Sequence, residues 1–386
     1  MNILYISPEF PPNFQNFIHR AHENGITVFA IGESDFHCLS HEIKQKLSWY
    51  EKINPQDLEQ VKSAVHHIIN KAKSLGFSGI DAVESHNEHW LRLEAFINTE
   101  FNIEGIKTSE IELWKKKSLM KEAMKRLELH YVEGKIVHHL EEAIVFAKKV
   151  GYPIIMKPDE GVGATATFKI YSDNELKSFF SQFDREMFAE KFIYGRMVTY
   201  DGLTDWTGKI IFENSLVYDS GVLDNVQGRD TFFHSRRVIP PALSAIGKKI
   251  VDEFKIKRKF FHLEFFESAG KIIPLEVNAR APGGPIVDMF NYSSDNDLYL
   301  SWAKMMKHED VLLPTEKKYY CAYAGRKDRR YKYSHEDILH NYGHLLIDVG
   351  ENPPLFVEGM GRMRYIFKTT TEQELYEIRN YIYDCY

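Results

Sequence analysis

Residues 272–284, IIPLEVNARAPGG, place charged and amide side chains inside a segment that otherwise reads as a buried strand. Side chains alternate between the two faces of a strand, so Glu276, Asn278 and Arg280 are expected on one face. The apolar residues between them then occupy the other face. The three polar side chains therefore form a single array, and the segment has to be read together with whatever strand lies beside it.

The preceding stretch, HLEFFESAGK (262–271), predicts that neighbouring strand and a turn. A three-residue loop centred on Gly270 places Glu264 directly opposite Glu276. Two carboxylates that face each other in a buried sheet repel unless a cation lies between them. Their oxygens, with the carbonyl oxygen of Asn278, suit a hard cation such as Mg²⁺ or Mn²⁺, which commonly shares its ligands with phosphates. The alternative is an exposed hairpin face with solvated acids.

The bulk composition describes a globular protein of two or three domains. The chain has 386 residues, of which 44% are hydrophobic and 27% are charged. Its formal net charge of -6 gives no general attraction to nucleic acid or to an anionic membrane. We therefore expect small-molecule partners, with any phosphate group held at a local site.

The amino terminus and the cysteines indicate a reducing compartment. The start, MNILYISPEF, has no basic region and too short an apolar run for a secretory signal or a membrane span, so a cytoplasmic location is expected. Cys38, Cys321 and Cys385 are scattered and odd in number, which favours reduced thiols over disulfides. The 17 histidines are not spaced as converging ligands, so zinc is not expected.

The order of predicted elements indicates an α/β fold. NILYI (2–6) and GITVFAIG (25–32) read as strands separated by a helix, which is the start of a doubly wound parallel sheet ending near residue 110. A helix capped by Ser109 is expected next, and it carries Lys117 and Lys121 one turn apart. For such a lysine cluster the ordinary alternative is a solvated helix face.

A glycine-rich turn follows an apolar strand at GYPIIMKPDEGVGATAT, residues 151–167. Lys157 ends that strand, where a buried ammonium group needs an anion. Gly161 and Gly163, followed by Ala164 and Thr165, could bring backbone N–H groups close to phosphate oxygens. The spacing matches neither the P-loop nor the dinucleotide-binding pattern.

Taken in order, these motifs resemble the ATP-grasp superfamily. The resemblance covers roughly residues 110–300, and its most specific part is E-x-N-x-R-x-x-G-G, beginning at Glu276, after the upstream Glu264. The layout is similar to that of carboxylate–amine ligases such as L-amino acid ligases and biotin carboxylase. It implies a mixed α/β and α+β architecture with an N-terminal pre-ATP-grasp α/β domain (1–110), an ATP-grasp domain (111–305) and a small C-terminal α/β domain (306–386). A lid subdomain is expected at about 150–188.

The resemblance also implies roles for individual residues. Glu264, Glu276 and Asn278 would hold Mg²⁺, and Arg280 would steady the transferring phosphoryl group together with Lys157. The ATP-binding residues it implies are Lys117, Lys157, Gly161, Gly163, Ala164, Thr165, Glu190, Lys191, Phe192 and Ile193. One departure is visible: where such proteins often carry a ribose-binding glutamate, EKFIYGRMV (190–198) has Arg196 and Met197.

The implied activity is ATP-dependent ligation of a small carboxylate, an amino acid in the first instance, to an amine through an acyl phosphate. Two alternatives stay open: a nucleotide-binding sensor or scaffold without turnover, and a glycosyltransferase suggested only by ILYISPEFPPNF (3–14). Dimers are common among similar ligases, which leaves a homodimer open here.

Substrate contacts are the least determined part of the prediction. Arg229, Arg236 and Arg237 could grip a carboxylate, although a structural role is the commoner one for an arginine. Asp288 could meet a substrate amine, with capping or solvation as the alternative. Glu84 and Asn87 are further candidates because ESHNEHW (84–90) follows a strand of the first sheet, where α/β proteins bind ligands.

Overall fold

The computed structural model describes residues 1–161, 166–183, 185–221, 228–314 and 316–386. These residues form three β-sheets with helices packed against them. The mixed α/β class predicted from the sequence is confirmed, and the three sheets together determine where the candidate site lies.

The first sheet is parallel, with strand order β3-β2-β1-β4. Strand β1 is buried along its whole length, as expected for a parallel strand with helices on both faces. Its strands are β1 (Asn2–Ile6), β2 (Thr27–Gly32), β3 (Leu47–Lys52) and β4 (Ala82–Glu84), and its helices are α1 (Gln15–Glu23), α2 (His41–Lys46), α3 (Leu58–Ser74) and α4 (Leu91–Glu100).

The next segment is two helices rather than the single capped helix expected from the sequence. Helix α5 (Ile111–Lys115) and helix α6 (Lys117–Arg126) are separated by Lys116, whose backbone is extended. The expectation that Ser109 caps this segment is wrong, because Glu110 precedes α5 and no side chain caps it. Lys117 therefore begins a new helix and its side chain faces inward rather than solvent.

A four-stranded antiparallel sheet follows, with order β5-β8-β6-β7. Helices α7 (Leu140–Val150) and α8 (Asp173–Gln182) pack on one face of it and enclose a separate apolar core. Its strands are β5 (Gly134–Val137), β6 (Ile154–Lys157), β7 (Phe168–Ile170) and β8 (Met187–Lys191). The sheet thus contains the region expected to be a lid and also reaches back to residue 134.

The remaining strands form one nine-stranded sheet. Its order is β14-β13-β9-β11-β12-β15-β17-β16, and β10 pairs with β9 beside that path. Its first strands are β9 (Arg196–Thr204), β10 (Ile210–Asn214), β11 (Leu216–Tyr218), β12 (Thr231–Ser235), β13 (Phe260–Ser268) and β14 (Lys271–Asn278). Three helices accompany them: α9 (Pro241–Glu253), α10 (Ile286–Ser294) and α11 (Leu298–Met306).

The C-terminal segment continues the same sheet. Strand β15 (Tyr320–Arg326) pairs with β12, and β17 (Met363–Thr369) and β16 (Leu346–Glu351) extend the sheet beyond it. The boundary expected near residue 305 therefore crosses one continuous sheet. The helices of this segment are α12 (His335–Tyr342), α13 (Pro354–Met360) and α14 (Glu372–Tyr383).

A buried ionic cluster joins the first sheet to the large one. The Lys259 ammonium lies 2.5 Å from Glu84 Oε1, at the end of β4, and 2.9 Å from Glu94 Oε2, in α4. Burial opposes charge on Glu84, but Lys259 outweighs it and holds the pKa of Glu84 below its usual value. Burial raises the pKa of Glu94 to about 7 despite the same cation. The two acids thus share one lysine unequally.

Among the described residues no helix is long and apolar enough to cross a membrane. All three cysteines are free thiols, with Cys321 buried and Cys38 and Cys385 exposed.

Candidate active site

Strands β13 and β14 form the hairpin predicted from the sequence, with Glu264 directly opposite Glu276. The turn is shorter than expected: Ala269 and Gly270 alone connect the strands, both with positive φ, as a two-residue turn of type I′ requires. A bulge at Leu275 adds one residue to β14 and restores the predicted pairing. The expected three-residue loop is thus wrong, although the register it implied is right.

The facing acids are mostly buried, with 20% of the Glu264 side chain and 18% of the Glu276 side chain exposed. Asn278 is buried beside them and its amide nitrogen donates to the carbonyl oxygen of His262 at 3.2 Å, so its side-chain oxygen is left as an acceptor. Three oxygen donors therefore lie on neighbouring positions of two paired strands. This donor set fits a hard divalent cation, which would remove the repulsion between the acids.

Lys117 reaches this hairpin from the first turn of α6. Its ammonium lies 3.2 Å from Glu276 Oε1 and 3.5 Å from the carbonyl oxygen of Gly161. Glu276 therefore faces a lysine on one side and another carboxylate on the other. The alternative of a solvated helix face does not hold, since Lys117 and Lys121 are both about 95% buried.

Glu190, at the end of β8, is held between two buried lysines. Lys121 lies 2.8 Å from one of its oxygens and Lys157 lies 2.7 Å from the other. Burial opposes charge at Glu190, but the two ammonium groups outweigh it and lower the pKa of that carboxyl. For Lys157, burial is likewise outweighed by Glu190 and Glu276, which raise its pKa. The site thus keeps Lys157 charged.

Lys121 differs from Lys157 in the balance of the same forces. Burial lowers the pKa of Lys121, and attraction to Glu190 offsets this only partly. Its ammonium also donates to the carbonyl oxygen of Leu275 at 2.7 Å, which is the bulged residue of β14. Lys121 therefore connects the small sheet to the hairpin of the large sheet, a role that the sequence did not reveal.

The segment expected to line an adenine pocket connects the small sheet to the large one. Lys191 ends β8, and Phe192 and Ile193 follow it, all three half-buried. The Lys169 ammonium, on β7, lies 3.7 Å from the centre of the Phe192 ring. Gly161 is close to Lys117, as described above, whereas the predicted phosphate-contacting residues Gly163, Ala164 and Thr165 lie outside the described residues.

Arg280 has a partner in the segment that carries the first sheet, and the sequence analysis missed it. Its Nε lies 3.5 Å from Glu88 Oε2, and the other oxygen of Glu88 lies 3.3 Å from the Lys115 ammonium. Glu88 belongs to the segment ESHNEHW that was expected to approach a ligand. The residues singled out there have other contacts: Glu84 binds Lys259, and Asn87 caps a short 3₁₀ helix at His89.

A second missed feature is a buried histidine beside the predicted cation ligands. His262 Nδ1 lies 2.5 Å from Asp201 Oδ1, and Nε2 lies 3.4 Å from Glu264 Oε1. Burial disfavours charge on the ring, but the two carboxylates outweigh it and raise the pKa of His262 to about 9. Because 61 residues separate Asp201 from His262, only strand pairing could bring them together.

The predicted substrate residues are not gathered around the facing acids Glu264 and Glu276. Arg229 is exposed, and Arg236 lies 2.7 Å from Glu267 Oε1. Arg237 donates to backbone carbonyl oxygens of residues 317 and 370. Asp288 accepts a hydrogen bond of 2.7 Å from the Tyr299 hydroxyl, and burial raises its pKa.

The position that departs from the ribose-binding pattern lies at the start of β9. Arg196 turns to Glu267 on β13 at 2.7 Å, while Met197 is half-buried against the apolar core under the first sheet. No acid replaces the missing glutamate at these two positions.

The chain is similar to known proteins both in sequence and in fold. Residues 116–215 match the family model of the carbamoyl-phosphate synthase L chain, ATP binding domain. The carbamoyl phosphate synthase large chain of Clostridium perfringens (strain SM101 / Type A) is 23% identical over 209 residues. That alignment covers 48% of this chain and 19% of the relative, so the chain spans less than a fifth of that protein.

Two solved structures cover nearly the whole chain. The L-amino acid ligase from Bacillus licheniformis has a TM-score of 0.73 at 14% identity, with 98% of this chain and 96% of that chain covered. The biotin carboxylase domain of the Hydrogenobacter thermophilus 2-oxoglutarate carboxylase, crystallised with MgADP, ADP and bicarbonate, has a TM-score of 0.67 at 17% identity, with 95% and 86% covered.

The chain thus has the fold of ATP-grasp ligases, with an L-amino acid ligase and a biotin carboxylase domain among its structural neighbours. The resemblance that the sequence motifs carry is confirmed at the level of the fold, and residues 116–215 match an ATP-binding domain family in sequence. The matched segment 116–215 holds Lys117, Lys157 and Glu190, so the match falls on the lysine-rich half of the site.

Proposed function

We propose that this protein is an ATP- and Mg²⁺-dependent ligase that joins a small carboxylate, an amino acid, to an amine. The observation that carries the proposal is the meeting of Lys117 with Glu276, and of Lys157 with Glu190, over a hairpin that pairs two acids. Buried lysines can bind the phosphates of a nucleotide, and buried acids beside them can bind the metal ion that accompanies those phosphates.

In this proposal the two lysines bind the phosphates of ATP. Each is held by a glutamate at 3.2 Å or less, so each is already placed when the nucleotide arrives. Holding them in position matters because phosphoryl transfer depends mainly on placement and charge neutralisation. The hinge Lys191–Ile193 would line the adenine, with Glu190 beside it.

Glu264, Glu276 and Asn278 would hold Mg²⁺, with Mn²⁺ as a substitute. When bound there, the cation supplies neutralisation of the phosphate oxygens. The carboxylate substrate then attacks the γ-phosphorus, the bond from that phosphorus to the β–γ bridging oxygen breaks, and ADP leaves. The amine attacks the acyl carbon, a C–N bond forms, phosphate leaves with the former carboxylate oxygen, and the amine nitrogen loses a proton.

Arg280 is the proposed catalytic residue for the transferring phosphoryl group, together with Lys157. Its side chain is 16% exposed, and Glu88 contacts the guanidinium from one side. A fixed planar cation beside the hairpin can match the charge that spreads over the phosphoryl oxygens. Arg229, Arg236 and Asp288 stay in the proposal as substrate contacts, although Arg236 and Asp288 already have internal partners.

We also propose the division into residues 1–110, 111–305 and 306–386, with residues of about 150–188 as a lid subdomain over the nucleotide. The first unit has its own sheet and the third shares the large one.

The test is release of ADP from ATP with a panel of carboxylic acids and amines. The proposal expects ADP only when both substrates are present, and ¹⁸O from a labelled carboxylate in the released phosphate. ADP formed without any acid would identify a plain ATPase. Tight ATP binding with no turnover on any pair would favour the sensor instead.

A further inference from the structure

His262 lies between two groups of residues. On one side are the expected cation ligands Glu264 and Asn278, and on the other is the buried carboxylate of Asp201. On β13 it pairs with Asp201 of β9 on one side and with Asn278 of β14 on the other. Its ring is buried, and both nitrogens point at carboxylates: Nδ1 at Asp201, 2.5 Å away, and Nε2 at Glu264, 3.4 Å away. The ring is therefore fixed from both ends.

Asp201 is itself anchored to the backbone. The Thr199 hydroxyl donates to the second oxygen of Asp201, and the backbone N–H of Leu216 donates to that hydroxyl oxygen at 2.9 Å. A continuous chain of hydrogen bonds thus runs from strand β11 through Thr199 and Asp201 to the ring. All of these groups are buried, so each link has few other partners to turn to.

The backbone of His262 acts on the second oxygen donor. Its carbonyl oxygen accepts the hydrogen bond from the Asn278 amide nitrogen at 3.2 Å. Because a carboxamide has its nitrogen and oxygen on opposite sides, this bond turns the Asn278 oxygen away from the His262 carbonyl oxygen. The same residue therefore constrains Glu264 through its ring and Asn278 through its carbonyl oxygen.

From this geometry we infer that His262 is a positioning residue, which holds Glu264 and Asn278 in the orientation that binds the divalent cation of the nucleotide complex. The inference rests on the proposed function for the presence of that cation. Ring contact with one oxygen of Glu264 leaves its other oxygen for the cation. Residues that orient metal ligands in this way typically change metal affinity about 10- to 100-fold when they are replaced.

The experiment measures Mn²⁺ binding by electron paramagnetic resonance in the presence of ADP, on the full chain. His262→Gln keeps a polar side chain but cannot reach both carboxylates at once, so Mn²⁺ affinity is expected to fall about tenfold or more. ADP affinity in EDTA is expected to stay within about twofold, because no metal is involved. The matched control is His234→Gln, another buried histidine of the large sheet, which contacts Tyr376 and the Ser235 carbonyl oxygen.

Equal Mn²⁺ affinity in wild type and His262→Gln would overturn the inference, as would an equal loss in His234→Gln. If His262→Gln does not fold, Mn²⁺ binding is measured instead on variants of Asp201, which holds the His262 ring. Asp201→Ala frees the ring and should weaken Mn²⁺ binding at least about fivefold, whereas Asp201→Asn, which still accepts from Nδ1, should stay within about twofold of wild type. Equal affinities in those two variants would also refute it.

The readout separates this inference from the ligase proposal. A wild-type protein that binds Mn²⁺ with ADP but ligates nothing would refute the activity and leave the His262 test intact. A wild-type protein that binds ADP but does not bind Mn²⁺ when Mn²⁺ is supplied would refute the metal site and the inference together.

Discussion

Glu264 and Glu276 lie directly opposite each other on paired strands of the large sheet, with the Lys117 ammonium against the second of them. Two acids paired in this way are tolerated because cations lie close to them, and a bound divalent cation would complete that balance.

Glu276→Gln should lower ligase turnover at least about a hundredfold, because the metal-holding charge is lost while the shape is kept. Its unfolding temperature should stay within about 3 °C of wild type, since relief of the repulsion with Glu264 offsets the lost contact with Lys117. Calorimetry and ADP release measure both. Glu253→Gln, a glutamate of α9 that is paired with Arg126, is the control and should keep its turnover.

Lys157→Met should weaken ATP binding by about tenfold or more, because a buried charged contact to phosphate is lost. Titration calorimetry with a non-hydrolysable ATP analogue measures this. Lys135→Met, an exposed lysine on β5 of the same small sheet, should bind like wild type. An unchanged affinity in Lys157→Met would remove Lys157 from the nucleotide site.

Arg280→Lys should reduce kcat by about a hundredfold while the ATP dissociation constant changes less than about threefold. A lysine keeps the positive charge but cannot reproduce the planar two-pronged contact that a transferring phosphoryl group needs. Steady-state kinetics with the best substrate pair, and direct ATP binding, make the comparison. Arg126→Lys, in an exposed ion pair with Glu253, serves as the control. If Arg280→Lys weakened ATP binding and left kcat unchanged, Arg280 would instead be a residue that binds ATP before the reaction.

The cluster around Lys259 predicts a pH dependence of stability with a definite sign. The folded-state pKa of Glu94 is raised to about 7, so the folded protein binds the proton more tightly than the unfolded chain does. This contribution to the free energy of unfolding is complete below about pH 4.5 and is lost as the pH rises to about 7. Glu94→Gln, which imitates the protonated acid, should flatten that fall in urea unfolding measured between pH 5 and 7.5.

Glu84→Gln should behave in the opposite way. The pKa of Glu84 is lowered, so its contribution is present above its unfolded value and is lost only in acid. At pH 7 the free energy of unfolding of this variant should be about 3 kcal/mol lower than that of wild type, because the substitution leaves Lys259 buried beside a weaker partner. Equal effects of the two substitutions at pH 7 would contradict the unequal sharing of Lys259.

The sequence predicted the hairpin because strand alternation and one turn residue restrict where the two acids can fall. It missed how the register is reached: a shorter turn at Ala269 and Gly270 and a bulge at Leu275 add up to the same pairing. A three-residue turn and a two-residue turn followed by a bulge pair Glu264 with the same residue, so the sequence pattern cannot distinguish between them.

The parts that the sequence did not reveal are the contacts between distant elements. Glu88 reaches Arg280 from the first sheet, and Asp201 reaches His262 through strand pairing. In the sequence each is an ordinary acid at a strand or loop position, and only the tertiary fold gives it a partner. Strand β3 was also missed, because LSWYEK alternates too weakly to stand out.

The continuity of the large sheet across residue 305 affects how the protein can be divided. All five residues of β12 are buried, and β15 covers the edge that β12 would otherwise present. A fragment ending at residue 305 would expose a row of unpaired backbone groups next to Phe232 and Phe233, which is a template for association between chains. Residues 306–386 therefore protect the β12 edge from association with other chains.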